Sequence, residues 1–213
     1  LYFGRNGDLP ASGDYDGDGS TDLAVFRPDT GLWALRGISR CYFGRLNDLP
    51  IPGDYNGDSS TDIGIFRKDS GLWAIRGMSR FYFGSLEDTP ITGIYSGAAS
   101  KSIGIYRTRT GLWSLRGISR VYFGSSGDRP ITGNYTGNTN WEIGIFRPAS
   151  GLWAIRGFTR LYFGDSADRA VAADYDGDYY VDPAVFRPSS SLWAVSGITR
   201  CYFGGENDLP LAR

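Results

Sequence analysis

The chain has 213 residues, 41% of them hydrophobic and 15% aromatic, and its 22 basic and 23 acidic residues give a formal net charge of −1. This near-neutral charge argues against a nucleic-acid-binding protein, which would show a basic field. The absence of histidine excludes histidine-dependent catalytic triads and histidine-ligated zinc, and no apolar run reaches the ~18 residues that predict a membrane span.

The sequence repeats itself every 40 residues without insertions. Each repeat begins close to a Tyr-Phe-Gly motif and carries a tryptophan at the position of Trp33. The repeats are 1–40, 41–80, 81–120, 121–160 and 161–200, followed by a partial sixth repeat at 201–213. Self-similarity of this period indicates a repeat architecture, and we expect residues 1–213 to form a single domain.

Each repeat predicts four short strands. In the first repeat we expect them around residues 11–15 and at 23–27, 32–36 and 39–43. Residues 28–31 read Pro-Asp-Thr-Gly, which is a turn signal. Four strands in about 40 residues are typical of one blade of a β-propeller. The sequence therefore predicts an all-β protein, a β-propeller of five four-stranded blades.

An acidic loop lies between the first two predicted strands. Residues 14–22 read Asp-Tyr-Asp-Gly-Asp-Gly-Ser-Thr-Asp, with carboxylates at loop positions 1, 3, 5 and 9. Calcium takes about six to eight oxygen ligands, and glycine permits the tight curl that brings them together. The alternative is an Asp/Gly turn that binds nothing, but several like charges in one short turn repel one another unless a cation neutralises them.

The acidic loop recurs in repeats two and five, so we expect Ca²⁺ at about three sites. Side-chain oxygens are predicted at positions 1, 3, 5 and 9 and a backbone carbonyl at position 7. The expected ligands are Asp14, Asp16, Asp18, Ser20, Asp22, Asp54, Asn56, Asp58, Ser60, Asp62, Asp174, Asp176, Asp178, Tyr180 and Asp182.

The order of these motifs is similar to that of a known family. Tyr-Phe-Gly, then Gly-Asp-Tyr-Asp-Gly-Asp-Gly-Ser-Thr-Asp-Leu-Ala-Val-Phe-Arg-Pro, then Gly-Leu-Trp resembles the FG-GAP/VCBS repeat of integrin α subunits and many secreted bacterial proteins. The resemblance covers the whole chain. It implies a β-propeller whose loops hold calcium between the first and second strands of a blade, and a location outside the cell or at its surface. Integrin propellers differ from this chain in repeat number, so blade number is not carried over.

Two repeats depart from the acidic pattern. Residues 94–102 contain no acid and gain Lys101, and residues 134–142 keep one carboxylate, Glu142. Neutral oxygens bind calcium weakly, so we expect no ion in either loop and closure by Asx and Ser/Thr turns instead.

Other residues recur once in every repeat. Because a catalytic residue is needed only once, we interpret the arginines equivalent to Arg27 and Arg40 and the aspartates equivalent to Asp8 as ion-pairing groups, and the tryptophans as core. Sugar stacking by the recurrent aromatic residues is the alternative. Trp141 breaks the pattern, because it lies in the fourth loop, and it is the single residue predicted to contact a ligand. Whether Cys41 and Cys201 pair stays open.

Three classes of function compete. We expect a non-enzymatic extracellular binding or adhesion module, with a protein, a glycan or other copies of the chain as partner. The second class is a structural subunit of a surface filament or layer. A lectin or a glycosidase is the third, but Glu87, Glu142 and Glu206 form no recognisable acid/base pair, so we predict no enzyme.

The assembly alternative depends on the chain termini. The Tyr-Phe-Gly segment occurs once more than five blades require, so residues 1–4 and 201–204 are both candidates for the outer strand of the fifth blade. An unpaired strand is a template for pairing with another chain, and strand donation from copy to copy builds filaments. The spare strand could also pack along its own blade, or the chain could be a fragment of a longer array.

Overall fold

The computed structural model describes residues 3–211, and these residues form five four-stranded antiparallel sheets. Each sheet comes from one repeat, and its strands lie side by side in sequence order. The protein is therefore an all-β β-propeller with five blades, as the sequence predicts. Within residues 3–211 no helix is long and apolar enough to cross a membrane.

The strands of the first three repeats are β1 (Leu9–Pro10), β2 (Ala24–Arg27), β3 (Leu32–Leu35), β4 (Ser39–Tyr42), β5 (Asp48–Pro50), β6 (Gly64–Arg67), β7 (Leu72–Ile75), β8 (Ser79–Tyr82), β9 (Asp88–Gly93), β10 (Ser102–Arg107), β11 (Leu112–Leu115) and β12 (Ser119–Tyr122). Those of the last two are β13 (Arg129–Gly133), β14 (Glu142–Arg147), β15 (Leu152–Ile155), β16 (Thr159–Tyr162), β17 (Arg169–Ala170), β18 (Ala184–Arg187), β19 (Leu192–Val195) and β20 (Thr199–Tyr202), with a short 3₁₀ helix at Pro188–Ser190.

The chain divides into two compact units. The first contains the residues up to Thr92 together with Ala98–Ile105, and the second contains Gly93–Gly97 and the residues from Tyr106 onward. We describe the packing of each unit by itself.

The prediction of a first strand around residues 11–15 is wrong. The strand β1 lies earlier, and Pro10 is part of it, paired with Val25 of β2. Proline has no N–H to donate, but β1 is an edge strand of its sheet and can accommodate it. The other three strands of the first repeat lie within one residue of their predicted bounds.

A tryptophan anchors each sheet. Trp33 in β3 is fully buried and lies opposite Phe26 in β2, with ring centroids 5.2 Å apart. Its indole N–H donates to the Phe43 carbonyl at 2.9 Å, so burial leaves no polar atom of the ring unpaired. An equivalent aromatic pair recurs in every repeat, with Tyr106 in place of phenylalanine in the third. The interpretation of the tryptophans as core is confirmed for the first four repeats, whereas Trp193 is half-buried.

An arginine fork fixes the start of the first strand. Arg27 at the end of β2 donates from Nε and Nη2 to the two carboxylate oxygens of Asp8, at 2.8 and 3.0 Å. The same bidentate pair joins Arg67 to Asp48, Arg147 to Asp128 and Arg187 to Asp168. Ion pairing is thus confirmed for this set of arginines, whereas Arg40 lies exposed on the outermost strand β4.

The end of the fifth repeat is paired within its own sheet. Cys201 and Tyr202 belong to β20, where Cys201 lies opposite Trp193. The segment 201–204 therefore supplies the last strand of the fifth sheet, while Leu1 and Tyr2 of the competing segment lie outside the described residues. Cys41 and Cys201 are both free thiols.

Candidate functional site

Five loops connect the first and second strands of the sheets, and we call them loop 1 (residues 14–22), loop 2 (54–62), loop 3 (94–102), loop 4 (134–142) and loop 5 (174–182). Loop 1 is organised by its first and last residues. Asp14 accepts the Gly17 N–H on Oδ1 at 2.8 Å and the Gly19 N–H on Oδ2 at 2.9 Å. Asp22 accepts the Tyr15 N–H at 2.8 Å. Gly17 and Gly19 have φ of 76° and 87°, which side-chain-bearing residues rarely adopt.

The two middle carboxylates of loop 1 accept hydrogen bonds from backbone N–H groups of the same loop. Asp16 accepts the Asp18 N–H, and Asp18 accepts the Ser20 N–H at 2.7 Å. As a result, oxygens of Asp14, Asp16 and Asp18 lie within 4.8 Å of one another. This brings three of the predicted ligands together, while Asp22 stands outside that cluster.

Loops 2 and 5 repeat this framework. In loop 5 the cluster contains Asp174, Asp176 and Asp182, and Asp174 accepts the N–H groups of Gly177 and Tyr179. In loop 2 the corresponding bonds run from Gly57 and Ser59 to Asp54.

In loop 2 the middle positions bond to each other. Asn56 there donates its amide to Asp58 at 2.8 Å. The residues at position 7, namely Ser20, Ser60 and Tyr180, donate their N–H groups to the position-5 aspartates, and their expected role as carbonyl ligands stays a prediction.

The donor set of these loops fits a hard cation. It consists of oxygens only, which calcium prefers, and the acidic side chains other than Asp14 are at least partly exposed. Burial raises the pKa of Asp62 and of Asp182, and the charges of the neighbouring loop carboxylates add to the increase. A bound cation would relieve that repulsion.

Loop 4 keeps the same framework with one carboxylate. Asn134 accepts the Gly137 N–H at 2.8 Å, as an aspartate does in the acidic loops. Glu142 accepts the Tyr135 N–H at 2.9 Å, and its second oxygen accepts the Thr136 hydroxyl at 2.6 Å. The predicted closure by an Asx turn is therefore present in loop 4.

Loop 3 closes in a different way. Ile94 at its first position offers no side-chain acceptor, and the Gly97 N–H instead donates to the Asn140 side chain of loop 4, at 2.6 Å. The expectation that loop 3 closes by its own Asx or Ser/Thr turn is thus wrong at this bond, because the acceptor comes from the next repeat.

Backbone hydrogen bonds join successive loops, which sequence reasoning missed. In the first unit the N–H groups of Thr61 and Lys101 donate to the carbonyls of Asp14 and Asp54, at 2.5 and 2.6 Å. In the second unit Trp141 and Val181 donate to Ile94 and Asn134 at 2.6 and 2.7 Å. Position 8 of one loop is therefore tied to position 1 of the preceding loop.

A glycine directly before loops 1 to 4 makes room for the contact, whereas Ala173 precedes loop 5. A Cβ on Gly13 would lie 2.6 Å from Thr61 Cγ2, and one on Gly93 would lie 2.8 Å from Trp141 Cε3. The recurrence of glycine at this position is the sequence signal that could have revealed the contact.

Trp141 is half-buried rather than projecting from the loop. Its ring packs over Gly93 and lines a groove of about 360 Å³ in the second unit, together with Tyr95, Arg120 and Arg156. No equivalent residue is aromatic, since the other repeats carry threonine, lysine or valine there. Its role as a contact residue stays a prediction.

Solved structures share the fold of this chain. A crystal structure of BBS1N in complex with ARL6DN, soaked with mercury, is 12% identical, with a TM-score of 0.55 over 92% of this chain and 66% of that chain. The lead-soaked structure of the same complex is 10% identical, with a TM-score of 0.53 over 95% and 70%. This chain thus spans about two thirds of the structures it matches. No protein-family model and no curated protein matches the sequence.

Proposed function

We propose that this protein is a non-enzymatic binding module that uses calcium to rigidify loops 1, 2 and 5 and that acts outside the cell or at its surface. The observation that carries the proposal is the common set of backbone hydrogen bonds in these loops, which in loops 1 and 5 accompanies three carboxylates clustered within 4.8 Å. The FG-GAP/VCBS resemblance agrees with it in loop position and ligand type.

The distribution of acids supports a non-enzymatic role. Asp8, Asp48, Asp128 and Asp168 are each engaged by an arginine, and Glu142 is held by Tyr135 and Thr136. These carboxylates hold the fold together, whereas general acid–base catalysis needs one that can reach a substrate.

A protein is the partner class that we favour. The propeller of similar fold was crystallised in complex with a protein, and the groove beside Trp141 combines an aromatic ring with two arginines. Tryptophan and arginine are enriched among residues that dominate protein interfaces. A glycan remains the competing partner, and Trp141→Thr, which restores the residue of loop 2, should weaken either interaction. A glycan array probed with the wild type and with Trp141→Thr separates a protein partner from a glycan partner. If the wild type binds the array and the substitution abolishes that binding, the partner is a glycan.

Calorimetric titration with calcium tests the metal proposal. We expect saturable binding with a Kd on the order of 10⁻⁴–10⁻³ M, as in extracellular modules, and a melting temperature that rises with calcium by mass action. Asp18→Ala and Asp178→Ala, which remove the carboxylate at position 5, should each lower the number of bound ions by one.

The control substitution lies in loop 4. Asn138→Ala at the equivalent of Asp18 should leave calcium binding unchanged. A melting temperature indifferent to both calcium and chelator would contradict the proposal.

A filament or layer subunit is the alternative function, and electron microscopy of the native protein tests it. Because β20 is paired with β19, the spare segment of that alternative is residues 1–4, of which Leu1 and Tyr2 lie outside the described residues.

A further inference from the structure

The second unit contains a cavity of about 500 Å³ beside the first strands of repeats four and five. Its polar lining includes Arg129 and Arg169, which lie at equivalent positions in β13 and β17. The rest of the lining is largely apolar, including Pro130, Ala170 and Leu209. This volume lies within the range of small-molecule sites, about 300–1,000 Å³.

The two guanidinium groups are oriented by the backbone. Arg129 donates from Nη1 to the Asp168 carbonyl at 3.4 Å, and Arg169 donates in the same way to the Asp208 carbonyl at 3.3 Å. A guanidinium has five N–H donors, so one long bond each leaves most of the donors for another acceptor.

No carboxylate neutralises either arginine within residues 3–211. The lining of the cavity contains no acidic side chain. The Asp168 carboxylate is bound by Arg187 at 2.7 Å, and that of Asp208 accepts the Gly205 N–H. Two positive charges therefore face one cavity without a described counter-charge.

The fold does not require arginine at this position. Leu9 and Leu49 take the same place in repeats one and two. Their strands, like β13 and β17, each pair with the second strand of their own sheet. The arginines are thus a local feature of the last two repeats, and a leucine there is already compatible with this kind of sheet.

We propose that this cavity binds a small organic anion with carboxylate groups and a short apolar body. The planar fork of arginine binds a carboxylate through two parallel hydrogen bonds, and the apolar lining packs against the carbon chain. The site is separate from loops 1, 2 and 5, so it goes beyond the calcium-dependent function.

Titration with succinate, followed by calorimetry and NMR at fixed free calcium, tests the site. We expect saturable binding to the wild type that weakens at least tenfold in Arg129→Leu and in Arg169→Leu and is lost in the double variant. Arg160→Leu, which removes an exposed arginine from β16, should bind as the wild type does. Arg169→Lys should fall between the two, since lysine keeps the charge but not the fork.

Three results would overturn the proposal. The first is that the wild type shows no saturable binding of succinate. The second is that both leucine variants bind succinate as tightly as the wild type, with an unchanged melting temperature. The third is that the uncharged dimethyl succinate binds as tightly as succinate. Inorganic phosphate that binds as tightly as succinate would also overturn the assignment to a carboxylate. Circular dichroism of each variant establishes that a lost signal reflects the site rather than unfolding.

Discussion

Loops 1, 2 and 5 differ from loops 3 and 4 in the strand that leads into them. Before loop 1, β1 is two residues long. Beyond it the Ala11 N–H still donates to the Ala24 carbonyl at 2.9 Å, and pairing ends at the isolated bridge between Gly13 and Asp22. Loops 2 and 5 show the same break. Before loops 3 and 4, β9 and β13 continue without interruption for six and five residues.

The tyrosine that follows position 1 of every loop shows the same difference in its hydrogen bonding. The hydroxyl of Tyr15 donates to the Ala11 carbonyl at 2.5 Å, and Tyr55 and Tyr175 make the equivalent bond. The hydroxyl of Tyr135 is buried and has no hydrogen-bond partner among residues 3–211. In repeat four, Ile131 lies opposite Gly144 in a continuous ladder, which engages the carbonyl that the tyrosine would need.

The same 40-residue repeat therefore adopts two backbone conformations at this point. The acidic repeats give up part of the ladder and gain a tyrosine hydrogen bond. The neutral repeats keep the whole ladder, and in repeat four the unpaired buried hydroxyl of Tyr135 costs about 1–3 kcal/mol. Loss of carboxylates in repeats three and four is therefore accompanied by a change in the strand, not in the loop alone.

The Arg–Asp pairs occur in both kinds of repeat, so breaking one should have the same effect in either kind. This is the largest effect on stability that we predict. Asp8→Asn in an acidic repeat and Asp128→Asn in a neutral repeat should each lower the free energy of unfolding by about 2 kcal/mol, because a buried carboxylate that accepts two charge-assisted hydrogen bonds is replaced by a neutral amide. Arg40→Gln on the exposed strand β4 should change it by less than about 0.5 kcal/mol. Urea denaturation measures all three, and a large gap between the two aspartates would show that the repeats do not share one framework.

The pH dependence of stability follows from the same pairs. Hydrogen bonds from Arg27 hold the pKa of Asp8 below its usual value. Burial opposes a decrease for Asp128, but hydrogen bonds from Arg147 and Ser125 together outweigh it and lower the pKa there too. A lowered folded-state pKa stabilises the protein above the unfolded value of about 4 and loses this effect as the pH falls through the folded value. Both asparagine variants should therefore flatten the loss of stability below about pH 4.

A smaller effect is expected from the first loop residue. Asp14→Ala removes the acceptor of two N–H groups and should cost about 1–2 kcal/mol in calcium-free buffer, the range of a lost capping side chain. Asp14→Asn copies loop 4, where Asn134 keeps one of these bonds, and should cost about half as much. If the two variants are equally stable, the side-chain bonds do not hold the loop, and the contrast between the loop classes rests on the strands alone.

Much of this architecture could be predicted from the sequence, because residues that recur in every repeat indicate a structural role. The tryptophans and the pairing of Arg27 with Asp8 recur at fixed spacing, and a feature shared by all repeats belongs to the sheet itself. The position of β1 could not be predicted, because proline fits a strand only at a sheet edge and the sequence does not mark which strand lies at the edge.

The contacts between loops could not be predicted from local patterns. The Asn140 side chain serves Gly97, which lies 43 residues earlier, and the backbone bond from Trp141 to Ile94 spans a similar separation. Such contacts depend on how neighbouring repeats pack. The arginines at 129 and 169 were likewise passed over, because they recur in only two repeats and no motif marks them.

The tyrosines give the smallest effect and the sharpest test of the comparison. Tyr15→Phe removes a hydroxyl that is hydrogen-bonded and should cost about 1 kcal/mol. Tyr135→Phe removes one that has no partner and should leave stability unchanged or raise it by up to about 1 kcal/mol, because a desolvated hydroxyl disappears. Both substitutions remove the same atom from the same template position, so the packing loss cancels between them. The difference in unfolding free energy, measured in urea without calcium, should favour Tyr135→Phe by about 1–2 kcal/mol. Equal destabilisation would mean that both hydroxyls find a partner in solution and that the two backbone conformations do not differ at this residue.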